Sequence, residues 1–313
     1  MSQLSIHQKE HRKKIRNRRL LKVGVVLFLV LAVFFGLVFV SRMSRFRIGT
    51  IELSGQTLVS PDEVVSASGD FLSGYYFGLF PRNNFFIFPN AALKNFLKEK
   101  FKRIDTIQTH LSGFKKLEIV ITERKQQALW CDGSPETVSA LKTQNILSAS
   151  TSPNTPTSIN VAEKCYFLDD NGLIFSEAPN FSGNAYFKYY GGVTGRPDAE
   201  IASALSSFES DTNPIGQTYL ATTTVFQDIN SFVQSVGQTS LAPISVSAES
   251  DGGFTMFLAG GGKIYFNLSQ PLSKTADNLK VLLETLQTSS STSISNIDYI
   301  DLRFGDKLYY KMK

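Results

Sequence analysis

The sequence predicts an α+β protein held to a membrane by a single N-terminal helix. Three observations predict it. Eighteen uncharged residues, Val23 to Val40, form one apolar block. A strongly basic segment, residues 1–22, precedes that block. After it, short strand-like runs alternate with amphipathic helical stretches, and no repeat or long apolar segment recurs.

The apolar block contains no charge and no proline. At 1.5 Å per residue a helix of this length reaches about 27 Å, enough to cross the hydrocarbon of a bilayer with little tilt. Only a helix satisfies its own backbone there. Lys9, Arg12, Lys13, Lys14, Arg16, Arg18, Arg19 and Lys22 stand before it against the single acid Glu10. The positive-inside rule then keeps the N-terminus in the cytoplasm and puts everything after Val40 outside. A cleaved signal peptide begins in the same way, but its apolar core is shorter and ends in small residues. Phe39-Val40-Ser41-Arg42 suits a peptidase poorly, so an uncleaved anchor is expected.

The charge balance follows the same division. Residues 1–22 hold eight of the 32 Lys and Arg and one of the 27 Asp and Glu, leaving 24 basic against 26 acidic residues and a net of −2. The basic character belongs to the tail, where topology and anionic lipid account for it. The nearly neutral remainder gives no reason to expect a nucleic-acid partner.

Beyond the anchor, about 270 residues are enough for two modest domains with cores of their own. Arg47–Ser54 alternates apolar and polar residues but changes phase between Ile48 and Ile51, which predicts a strand with a bulge near Gly49. Ser60-Pro61-Asp62-Glu63 carries helix-start signals: a capping serine, a proline for the first turn and a glutamate to complete a capping box. Gly69 is expected to end that helix. Residues 71–88 concentrate Phe71, Tyr75, Tyr76, Phe77, Phe80, Phe85, Phe86 and Phe88. They read as a loop whose rings cover the small domain, or as a surface resting on the membrane or on a partner helix. Pro89-Asn90 opens a second helix with Leu93, Phe96, Leu97 and Phe101 on its apolar stripe. Two strands follow, Ile104–Leu111 and Lys116–Arg124, around Ser112-Gly113-Phe114, with Leu117, Ile119 and Ile121 facing one way.

Further on, Asp169-Asp170-Asn171-Gly172 reads as a hairpin turn and not a calcium loop, because an EF-hand would need an acid at Phe167. Thr222–Val236 is an amphipathic helix. Ile244–Ala248, Phe254–Ala259 and Lys263–Leu268 are consecutive strands. Gly260-Gly261-Gly262-Lys263 is a turn, since a phosphate loop would need Gly at Phe257 and Ser or Thr at Ile264. Ser273–Gln287 forms another amphipathic helix, and Ile297–Arg303 with Lys307–Lys311 forms a closing strand pair. This second domain is expected to be mostly antiparallel sheet with flanking helices.

This order, with the stretches Ile48-Gly-Thr-Ile-Glu-Leu-Ser-Gly55, Asn84-Phe-Phe-Ile-Phe-Pro89, Leu117-Glu-Ile-Val-Ile-Thr-Glu-Arg124, Ala128-Leu-Trp130, Phe167-Leu-Asp-Asp-Asn-Gly-Leu-Ile-Phe175 and Tyr299-Ile-Asp-Leu-Arg-Phe304, resembles the FtsQ/DivIB cell-division family. The resemblance covers roughly residues 40–313, with 70–82 and 132–163 as insertions, and lies in the order of weak patterns rather than in any one motif. It implies a basic cytoplasmic tail (1–22), a transmembrane helix (23–40), a POTRA domain of order β-α-α-β-β (45–124) and an FtsQ-type β-domain (125–313). It also implies a bitopic scaffold at the division septum of the plasma membrane. Such a scaffold binds small coiled-coil membrane proteins of FtsB/DivIC and FtsL type and links early to late septum-assembly proteins.

Residues 132–163 are rich in Ser, Thr, Pro and Asn without apolar period and read as a flexible excursion flanked by Cys131 and Cys165. Outside the cytoplasm two cysteines suggest a disulfide, and if the strands ending at Trp130 and starting at Tyr166 pair, the Cβ atoms come within bonding range. Two free thiols, in an envelope that forms few disulfides, are the alternative.

The inventory for catalysis is poor. The histidines are His7 and His11 in the tail and His110 outside, which leaves a nucleophile one candidate base in a strand near a turn. No His, Cys or carboxylate cluster has metal-ligand spacing. The expectation is a binding protein without enzymatic activity, cofactor, metal or small-molecule substrate. Its candidate site is the last strand, with Phe304, Lys307, Leu308, Tyr309 and Tyr310, whose free edge can accept a partner's strand. A POTRA-bearing transport or assembly factor and an anchored envelope enzyme are the competing readings.

Overall fold

A computed structural model describes residues 4–133, 135, 163–181, 185–194, 213–220, 222–288 and 296–313, and for residues 4–18 and 193–194 the backbone alone. The expected excursion at 132–163 lies outside these residues except at Asp132, Gly133, Pro135 and Glu163, and so does most of the polar run Thr288–Ser295. The protein is mixed α+β and divides into two compact units, residues 1–123 and 124–313.

The first unit begins with α1, Leu4–Ser41, one uninterrupted helix that includes most of the basic tail. Its segment Arg19–Ser41, with mean hydropathy 3.2, is long and apolar enough to cross a membrane. Leu, Val and Phe side chains stand exposed around the helix, as they do where lipid rather than protein is the solvent.

A three-stranded sheet follows, built from β1 (Thr50–Ser54), β4 (Ile104–Ser112) and β5 (Lys116–Glu123) in the order β1-β5-β4. β1 runs parallel to β5, and β4 runs antiparallel to it. The phase change expected near Gly49 has a backbone counterpart: the amides of Gly49 and Thr50 both donate to the Lys115 carbonyl, at 2.8 and 3.0 Å. Helices α2 (Pro61–Leu72) and α3 (Asn90–Lys100) cover the sheet. Val64, Ala67, Leu72, Leu93 and Leu97 bury themselves against Leu117, Ile119 and Ile121, the one-face triplet of β5. The element order is therefore β-α-α-β-β, with a small hairpin, β2 (Tyr75–Tyr76) and β3 (Phe80–Pro81), added between the helices.

Two local expectations are corrected. Gly69 does not end α2, which continues to Leu72, because Phe71 and Leu72 gain apolar contacts that outweigh the helix penalty of one glycine. Ser60 precedes the helix without a side-chain cap. The adjacent amides of Thr57, Leu58 and Val59 instead converge on the Glu123 carboxylate at the end of β5.

The second unit is one nine-stranded sheet. Its strands are β6 (Ala128–Cys131), β7 (Cys165–Leu168), β8 (Ile174–Glu177), β9 (Lys188–Tyr190), β12 (Pro243–Ala248), β13 (Phe254–Leu258), β14 (Lys263–Phe266), β15 (Ile297–Phe304) and β16 (Lys307–Met312). β10 (Val193–Thr194) and β11 (Thr218–Tyr219) form a separate small ladder. The order is β16-β15-β14-β13-β12-β9-β6-β7-β8. Five of its eight pairings are antiparallel and three parallel, so the sheet is mostly antiparallel.

Helices α4 (Thr223–Gly237) and α5 (Leu272–Thr288) pack on one face, where Phe226, Ile229, Phe232, Leu279 and Leu283 meet Tyr189, Val246, Met256, Ile264, Phe266 and Ile300. The other face carries a smaller cluster of Leu129, Cys131, Phe167, Phe175 and Tyr190. β9, for which the sequence offers no periodic signal, is the keystone. It lies parallel to both β6 and β12 and joins the two halves of the sheet through the fully buried Tyr189.

Candidate partner-binding edge

A sheet of nine strands has two edges, and this chain treats them differently. At β8 the chain itself occupies the start of the edge. The Gly216 amide donates to the Ile174 carbonyl at 2.7 Å, the Ile174 amide donates to the Gln217 carbonyl at 2.9 Å, and Leu173 bridges Thr218. At β16, among the described residues, nothing pairs with the outer side. An unpaired strand is a template for another chain's backbone.

β16 is held firmly from behind. It pairs with β15 through Tyr299–Lys311, Ile300–Tyr310, Asp301–Tyr309 and Phe304–Lys307. The Lys313 amide donates to the Asn296 carbonyl at 2.7 Å. The β15–β16 turn has φ +68° at Gly305, which glycine supplies without steric cost. Its carbonyl accepts from the side chains of Gln270 and Asn278, each at 3.3 Å, and Asp306 pairs with Lys274 at 2.6 Å. The turn is thus tied to the start of α5, and the edge is a rigid one.

The five candidate residues separate by exposure. Leu308 turns back and packs on the main core together with Met312. Phe304, Tyr309 and Tyr310 are exposed, at 55%, 51% and 45%, and the Phe304 and Tyr309 rings meet edge to face at 5.4 Å. Lys307 is exposed beside Phe304 in the register. Lys311 pairs with Asp298 at 2.9 Å, and the Lys313 ammonium donates to the Gly260 carbonyl at 2.5 Å. Lysine along an edge blunts indiscriminate pairing while leaving the backbone free.

Sequence reasoning missed the surface next to this edge. On the face of β14 and β15 away from the helices, Tyr265 and Tyr299 lie 6.0 Å apart, and the Arg303 guanidinium sits over the Tyr265 ring at 5.3 Å. Asp301 fixes that guanidinium with bonds of 2.9 and 2.7 Å. Burial pushes the Asp301 carboxyl up, but the Arg303 side chain and amide outweigh it and hold the group below its ordinary value. The signal was present as alternation: Lys263-Ile-Tyr-Phe and Tyr299-Ile-Asp-Leu-Arg put every second residue opposite the core.

Cys131 and Cys165 are joined by a disulfide across directly paired strand positions, with Cα atoms 4.1 Å apart. Glu163 approaches both sulfurs, but the sulfurs are bonded to each other and supply no thiolate to a metal. The Glu163 carboxylate is engaged by Lys188 and by the Tyr190 hydroxyl. Asp169 organises the β7–β8 turn. Its carboxylate accepts from the amides of Asn171 and Leu173 and pairs with Arg124, which explains its burial.

Comparison of this chain with protein-family models and with curated proteins finds no match.

Proposed function

We propose that the chain is a membrane-anchored, non-enzymatic scaffold of FtsQ/DivIB type, in which residues 45–124 serve as a POTRA domain and the β16 edge receives a strand from a small coiled-coil membrane protein. The observation that carries this reading is the asymmetry of the sheet: the chain itself pairs with the β8 edge at Ile174, while among the described residues the β16 edge is open, and it is rimmed by exposed aromatic rings. Strand addition takes affinity from backbone hydrogen bonds and specificity from side chains such as Phe304, Tyr309 and Tyr310. Partners of FtsB/DivIC and FtsL type at the septum are what the sequence resemblance adds.

The test uses the full chain in detergent-solubilised membranes. Because the Lys313 amide points toward β15, alternation along the strand turns the Leu308 and Tyr310 amides outward. Tyr310→Pro therefore removes an outward donor at an exposed edge position, where proline is tolerated. Short coiled-coil membrane proteins should co-purify with the wild type and be lost with Tyr310→Pro, and depletion of the chain should give filamentous cells. Undiminished recovery with the variant rejects the edge as the site. Normal septation after depletion rejects the division role.

A further inference from the structure

The β2–β3 hairpin carries features that the fold itself does not use. At its tip Phe77 is 97% exposed with φ 51°, and Gly78 follows with φ 69°. Two successive positive φ values suit Asn or Gly and disfavour a bulky side chain. At that exposure the Phe77 ring gains almost no packing inside the chain to offset the cost. Tyr75 beside it is also exposed.

The position of the hairpin supplies the missing environment. The Phe80 ring meets the Phe34 ring of α1 edge to face at 6.1 Å, and Val38 on the same helix is buried although its neighbours are exposed. Phe34 lies seven residues before Ser41, the last residue of α1, which is about 10 Å along the axis. Side chains on a helix lean toward its N-terminus, which carries the contact deeper still. Where α1 crosses a bilayer, the Phe80 ring of the hairpin therefore reaches below the level at which the helix emerges.

Backbone entering that layer must have its polar groups satisfied. Part of this demand is met at the tip by an unusual donor. Arg42 Nε donates to the Leu79 carbonyl and Arg42 Nη2 to the Gly78 carbonyl, both at 3.1 Å, while the Leu79 amide donates to the Tyr76 carbonyl at 3.0 Å.

We infer that the β2–β3 hairpin is a membrane-inserted finger: Phe77 and Tyr75 enter the lipid of the leaflet that α1 leaves at Ser41, and Arg42 holds the tip carbonyls at headgroup level. The occupant of this surface is lipid, because the helix face it leans on is itself within the bilayer. Aromatic rings at this depth occupy the zone where amphipathic and aromatic side chains concentrate in membrane proteins. The inference rests on α1 crossing a bilayer and is independent of any partner at β16.

The test is depth-resolved quenching on the full chain in phosphatidylcholine–phosphatidylglycerol vesicles. With the native disulfide kept oxidised, single cysteines are introduced by Phe77→Cys, Leu58→Cys and Val33→Cys and labelled with an environment-sensitive fluorophore. Leu58 is an exposed apolar residue beside Glu123, at the opposite end of β5 from the Phe114 turn, and Val33 lies within the apolar helix. The expected result is that nitroxide-bearing lipid quenches the label at 77 several-fold more strongly than the label at 58, and that iodide in the water quenches 77 less. If the label at 33 is quenched by lipid while 77 behaves like 58, the hairpin faces water or protein and the inference fails. If the label at 33 escapes lipid quenching, the anchor reading fails and the inference fails with it.

Discussion

At the scale of single residues, Glu123 concentrates three amide contacts on one carboxylate oxygen. Its Oε1 accepts from the amides of Thr57, Leu58 and Val59 at 2.5, 2.8 and 3.0 Å, and so caps a turn that Ser60 leaves uncapped. Burial pushes the carboxyl up, but the three amides and Arg103 outweigh it and hold the group below its ordinary value of 4.5. A carboxyl whose pKa is lower in the folded state favours folding above the unfolded value, and that contribution is lost as pH falls through the folded value. Hydrogen-exchange protection of amides 57–59 should therefore hold at neutral pH and decline as pH falls below 4.5. Glu123→Gln should flatten that dependence, and Glu123→Ala should cost this unit about 1 kcal/mol. Protection at these amides that is indifferent to both substitutions would show that the turn is held by other contacts.

At the scale of elements, the β6–β7 pair and the β15–β16 pair each lend themselves to one measurement. The Cys131–Cys165 bond closes a sequence separation of 34 between directly opposed strands. Removing it with Cys131→Ser and Cys165→Ser together should destabilise the second unit by about 3 kcal/mol in the chain-entropy account. The chain has a single tryptophan, Trp130, which is buried and donates to the Gly191 carbonyl at 3.0 Å. Its fluorescence in a urea titration therefore reads this unit directly, and an unchanged midpoint would overturn the expectation. At the other end, truncation after Arg303 removes Leu308 and Met312 from the main core. It should cost about 2–4 kcal/mol as well as the edge, so lost partner binding in that variant would confound site with fold. Tyr310→Pro, which leaves both core contacts in place, should shift the Trp130 transition much less than the truncation.

At the scale of the molecule, two units with separate cores sit on one chain behind an apolar helix. Glu123→Ala should accordingly loosen residues 57–59 without moving the Trp130 transition, and a shared shift would show that the units unfold together. The positive-inside rule, applied to the basic segment before the helix, predicts a cytoplasmic N-terminus. A tag placed before Leu4 should stay protected from protease added outside intact cells, while segments after Ser41 are cut. Cleavage of the tag would reverse the topology.

What the sequence makes legible is local and periodic. The apolar block of α1, the apolar triplet of β5, the amphipathic stripes of α4 and α5, the hairpin turn at Asn171-Gly172 and the placing of Cys131 and Cys165 all come from spacing along the chain, because each rests on neighbours within a few residues. Helix α2 ran past Gly69 because contacts made by Phe71 and Leu72 elsewhere in the unit outweigh a local stop signal. β9 could not be read, since three residues are too few for a period, yet burial of Tyr189 puts it at the centre of the sheet. Which edge is open was likewise out of reach. Lys307–Met312 reads as a strand in either case; among the described residues, 216–218 pair with Leu173 and Ile174 at the β8 edge, and none pairs with the outer side of β16. Sequence determines which residues want a helix, a strand or a turn; long-range pairing decides which polar backbone groups remain unpaired, and the candidate site is made of those.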